Sequence, residues 1–96
     1  MTPEAAETLA LEAISFIAGD EDLVAGLFDQ TGMGVDELRD ALGEADTVGQ
    51  TLAGVLDYLL MNDEWVLNFA EQVNIAPEKV LSARATLPGG QHWGSI

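Results

Sequence analysis

The chain has 96 residues, of which 17 are acidic and three basic, giving a formal net charge of −14 and a pI near 4.1. Apolar residues make up 48 % and charged residues 21 %, a composition that folds, and the length suits one small domain with a single core. With no cysteine, disulfides, thiol chemistry and cysteine-based zinc sites are excluded, and the single His92 near the C-terminus argues against an imidazole-centred site. No apolar run approaches the roughly 20 residues that span a bilayer. The start "MTPEAAETLALEA" carries Glu4 and Glu7 where a signal peptide would be cationic. The expectation is a cytoplasmic protein with no membrane contact.

Thr2-Pro3-Glu4 predicts a helix start, with a capping hydroxyl, a proline at the first helical position and an acid facing the dipole. Ala6, Leu9, Ala10, Ala13, Ile14 and Ile17 follow at helical spacing, and Gly19 is placed to stop the helix in a left-handed conformation. Asp20-Glu21-Asp22 opens a second helix, carrying Leu23, Val24, Leu27 and Phe28 and ending at Gly32. A short third helix runs from about Val35 to Leu42, with Met33 and Leu38 as a hydrophobic staple and Gly43 at its end. Asp46 or Thr47 is expected to cap the fourth, whose apolar positions are Val48, Leu52, Val55, Leu56, Leu59 and Leu60. Asn62 caps the fifth, where Trp65, Val66, Phe69, Ala70 and Val73 mark a packed face and Asn74 can take the left-handed turn. Pro77 begins the sixth, and Leu87-Pro88-Gly89-Gly90 closes it. No segment alternates as a strand would.

A shift of 42 residues aligns the two halves without a gap. Ile14, Phe16 and Ile17 fall on Leu56, Tyr58 and Leu59, and Gly32-Met33 falls on Asn74-Ile75. Only Val24, Gln30 and Ala41 have identical partners between 20–43 and 62–85, so polarity and turn residues carry the match. The predicted fold is all-α: a compact bundle of five to six helices, readable as two three-helix units (6–43 and 48–85) with helix-turn-helix-like corners. The two most apolar helices, the first and fourth, are expected at the centre. A single domain over 1–90 and a loose tail over 91–96 complete the expected organisation.

The corners raise nucleic-acid binding as one reading, because Arg39, Lys79 and Arg84 all lie in the two helices that would enter a groove. Charge opposes it. A DNA reader neutralises several phosphates, whereas Asp36, Glu37 and Asp40 surround Arg39, and Glu78 adjoins Lys79. Acidic clusters raise a cation site, but "DEDL" at 20–23 is followed by Val24 and Ala25 where an EF-hand loop needs an oxygen ligand and a glycine. Most acids instead fall where helices start, where they offset the dipole. No metal and no cofactor are expected. Catalysis lacks a glycine-rich phosphate loop, a nucleophile elbow or a tuned acid–base pair, so an enzyme is not expected. Aromatic residues read as core; Trp65, preceded by Asp63 and Glu64 in a first turn, is the one candidate for a partner-binding hot spot.

The words "FIAGDEDL", "TGMGVDELR", "VLDYLLMNDEWVLNFA" and "LPGG" are those of a known pattern. From residue 6 to 90 the chain resembles a family of small bacterial all-helical proteins known as a domain of unknown function. The resemblance implies a helical domain of bacterial origin and brings no activity, catalytic residue or ligand residue with it. The expected function is therefore a non-enzymatic acidic binding or adaptor module for a basic protein partner, with Trp65, Asp63 and Glu64 as its contact. The alternative is a divergent helix-turn-helix DNA-binding or transcription-related protein using Arg39, Lys79 and Arg84.

Overall fold

In the computed structural model, which describes residues 1–87, the chain forms six helices and, among those residues, no strand. They are α1 (Pro3–Ala18), α2 (Glu21–Thr31), α3 (Val35–Leu42), α4 (Val48–Leu60), α5 (Asp63–Val73) and α6 (Glu78–Thr86). The expected tail at 91–96, with His92 and Trp93, lies outside the described residues.

Caps explain most helix starts. Thr2 Oγ1 accepts from the Ala5 N–H at 3.2 Å, and Asp20 Oδ1 accepts from the N–H groups of Asp22 and Leu23 at 2.9 and 3.3 Å. Asn62 Oδ1 accepts from Glu64 N–H at 2.9 Å, and the Gly34 N–H donates to Glu37 Oε2 at 2.7 Å. Two expectations are corrected. Gly19 is right-handed, at φ −78°, because the last turn of α1 tightens: its N–H reaches the carbonyls of Ser15 and Phe16, and Asp20 caps α2 immediately afterwards. Thr47 stands at the cap position of α4 but its side chain caps nothing; its hydroxyl donates to the Ala41 carbonyl at 2.8 Å and ties the end of α3 to the start of α4.

The two halves correspond in structure as well as in pattern. α2 and α5 have matching bounds under the 42-residue shift, as do the ends of α1 and α4. Gly32 and Asn74, the paired turn residues, are both left-handed, at φ 73° and 59°. Contacts follow a pseudo-twofold arrangement. α1 packs on α4; α2 leans on α4 as α5 leans on α1; α3 docks on α4 as α6 docks on α1. Each unit therefore lays its third helix against the first helix of the other unit. α6 also packs on α4, a contact that gives the second unit the firmer third helix.

α1 and α4 are central, as expected. Ala6, Ala10, Ala13 and Ile17 of α1 and Leu52, Val55, Leu56 and Leu59 of α4 are buried, with Phe69 and Val80 filling the space between units. The alanines of α1 let neighbouring helices approach closely, while the leucines of α4 supply volume. α3 buries no residue completely, whereas α6 buries Val80 and Ala83.

Candidate functional site

The starts of α5 and α6 line an apolar groove with the end of α4. The groove has a volume of about 410 Å³, and α6, which forms one side of it, packs on α1 and α4. Leu60, Val66 and Pro77 line it together with Asp63, Leu67, Glu78 and Leu81. Leu67 is 54 % exposed and Leu81 61 %, although both are large aliphatic side chains on well-formed helices. Asp63 and Glu78 are the first residues of their helices and put two carboxylates at the groove; among the described residues no basic one lines it. The arrangement presents apolar area beside negative charge, and can hold an apolar side chain flanked by cations.

The sequence-predicted contact residues divide around this groove. Asp63 lines it, whereas Glu64 and Trp65 do not. Trp65 is half-buried against the core and its ring packs on Tyr58, with centroids 5.0 Å apart and planes tilted by 42°. Its position in the first turn therefore serves packing. The residues that sequence reasoning passed over are Leu60, Leu67, Pro77, Glu78 and Leu81. A signal existed: Leu67 falls off the Val66, Phe69, Ala70 and Val73 stripe, and Leu81 falls off the Val80 and Ala83 stripe.

The basic residues have separate environments. Arg84 is only 12 % exposed at its side chain and donates from Nε to Asp57 Oδ1 of α4 at 2.5 Å, so it helps hold α6 on α4. Arg39 and Lys79 are exposed on α3 and α6. Under the repeat shift the three occupy unlike positions: Arg39 pairs with Leu81, Lys79 with Glu37 and Arg84 with Leu42. The two corners share a turn geometry and no basic position.

A second concavity, about 440 Å³, lies where α2, α3 and α4 meet. Leu27, Met33, Leu38 and Val55 give it an apolar side, and Thr31, Thr47, Gln50 and Thr51 a polar one. The hydroxyls of Thr31 and Thr47 are already committed to the carbonyls of Leu27 and Ala41. Met33 and Leu38, the expected staple, both face this hollow.

Tyr58 is the buried polar residue of note. Its hydroxyl donates to the Leu23 carbonyl at 2.9 Å, and its ring lies over Gly26, where an added Cβ would collide with Oη. Burial, and secondarily the negative charge of Asp20, raise the phenol above its ordinary value of 10.0. Among the described residues no buried side-chain nitrogen or oxygen lacks a hydrogen-bond partner, and no three metal-ligating side chains gather into a candidate site. No helix among them is long and apolar enough to cross a membrane.

Fold and surface together define a small all-α domain of paired three-helix units with an acidic-edged apolar groove. The chain belongs to the family described as "Protein of unknown function (DUF3572)", whose model matches residues 3–90. Comparison with curated proteins and with solved structures finds no match.

Proposed function

We propose that this protein is a non-enzymatic acidic helical binding module that meets a basic protein partner through the groove between α5 and α6. The observation that carries this reading is the exposure of Leu67 and Leu81 beside Asp63 and Glu78 in one groove that has no basic lining residue among the described residues. Large aliphatic side chains leave water on binding, and carboxylates at the edge steer a cationic partner into register. The net charge of −14 favours the same class of partner over long range. Trp65 contributes from beneath, by holding the start of α5 on Tyr58.

The test is a titration of the isotope-labelled full chain with short lysine-rich peptides, with and without one leucine or phenylalanine. The leucine-bearing peptide is expected to shift the Leu60, Leu67 and Leu81 methyl resonances and to bind more weakly as salt rises. Shifts spread evenly over the acidic surface, or none at low salt, overturn the reading.

A further inference from the structure

The pseudo-symmetry separates what the fold requires at this groove from what it does not. Subtracting 42 from the groove residues gives their counterparts in the first unit: Leu60 becomes Ala18, Leu67 becomes Ala25 and Leu81 becomes Arg39. The acids keep their character, since Asp63 corresponds to Glu21 and Glu78 to Asp36. Acids at these first turns are thus common to both corners, where they offset helix dipoles. The leucines belong to the second corner alone. The corner folds with Ala25 and Arg39 in their places, so neither exposed leucine is demanded by turn or helix formation.

The form of the groove narrows the occupant. Asp63 to Leu67 and Pro77 to Leu81 each span about one helical turn, roughly 6 Å along the axis. No strand edge exists among the described residues, so an extended peptide would find no ladder of backbone groups to pair with. Among the described residues the groove has no aromatic lining side chain of the kind a polyproline segment uses. A pair of helix surfaces with exposed leucines and flanking carboxylates fits a helix laid across α5 and α6, with apolar side chains entering the groove and basic ones reaching Asp63 and Glu78.

We infer that the α5–α6 groove receives the apolar stripe of a cationic amphipathic helix, and that Leu67 and Leu81 are the residues that determine its specificity. This rests on the binding-module reading above and adds the conformation of the partner segment and the division of labour between leucines and acids. Leu67 and Leu81 set how long the helix stays; Asp63 and Glu78 set how fast it arrives.

Two peptides of identical composition test it on the full chain by titration calorimetry, with circular dichroism of the peptide. One carries leucines at i, i+3, i+4 and i+7 with lysines elsewhere; the other is scrambled to remove the stripe. The first is expected to bind about tenfold or more tightly than the second, and to gain helicity on binding. Leu67→Asp with Leu81→Asp is expected to remove that preference, while Leu11→Asp, at an exposed leucine on α1, leaves it intact. Because both groove leucines are exposed, the double variant is checked for native circular dichroism and melting before use. Equal binding of both peptides at the groove overturns the helix inference and leaves the binding module standing. Binding of neither overturns both. A preference that survives the double variant overturns the assignment of the leucines.

Discussion

The contact between Gly26 and Tyr58 shows how a single position constrains two helices. A glycine inside a helix costs about 1 kcal/mol relative to alanine, yet α2 keeps one because the phenol of Tyr58 lies where a Cβ would stand. Gly26→Ala is expected to destabilise the fold by about 1–3 kcal/mol through overpacking, against its gain in helix propensity. In a Tyr58→Phe background the nearest ring atom to the new Cβ stands 3.3 Å away, tight but free of the hydroxyl clash. The two substitutions should therefore be non-additive, with Gly26→Ala much milder in the Tyr58→Phe background than in the parent; denaturant midpoints of the four proteins measure this. The raised phenol gives a second expectation. The neutral phenol is favoured in the folded state, so its contribution is complete below the ordinary value of 10.0 and is lost as pH climbs through the higher folded value. Urea midpoints taken from pH 8 to 11 should fall less steeply in Tyr58→Phe than in the parent, and parallel curves would contradict this. Tyr58 was legible as a core residue because it is aromatic. Its pairing with Gly26 was not, because helical spacing says which face is buried and nothing about which residue lies opposite.

Helices and corners were the most legible parts of the molecule, since caps and turns act over three or four residues. Asp20 and Asn62 cap α2 and α5 as the sequence predicts, and Gly32 and Asn74 end those helices in the left-handed region. Gly32→Ala should cost about 1–2 kcal/mol, whereas Asn74→Gly should be neutral or slightly stabilising, because glycine alone meets no Cβ penalty there. Thermal melts of the two variants check the difference, and a destabilising Asn74→Gly would mean that the asparagine side chain makes an essential contact. Gly19 and Thr47 departed from expectation because of the helices next to them. The first is drawn into a tight turn by a helix that begins at once, and the second commits its hydroxyl to α3. The groove was only half legible for the same reason. Asp63 was singled out for its charge, but that it shares a groove with Leu67, Glu78 and Leu81 follows from how α5 and α6 are placed in the fold.

The whole molecule is governed by charge and by the crossed docking of its two units. With 17 acids and three bases, repulsion between carboxylates opposes compaction, and salt shortens its range to about 8–10 Å at physiological strength. Raising sodium chloride from low millimolar to physiological strength is expected to raise the melting temperature; a flat or falling trend would show that local pairs such as Arg84–Asp57 outweigh net repulsion. The same salt should weaken binding of a cationic partner, so stability and affinity are expected to move in opposite directions. Composition, apolar periodicity and turn chemistry by themselves determined the all-α class, a bundle of five to six helices, the central places of α1 and α4, and the acidic charge, because each is written over a few neighbouring residues or is a sum over all of them. Only the tertiary structure decided that Trp65 supports the core, that Arg84 is held by Asp57, and that Leu67 and Leu81 meet in one groove. Those outcomes depend on how α4, α5 and α6 dock on one another, and contacts between separate helices leave no pattern within any one of them to read.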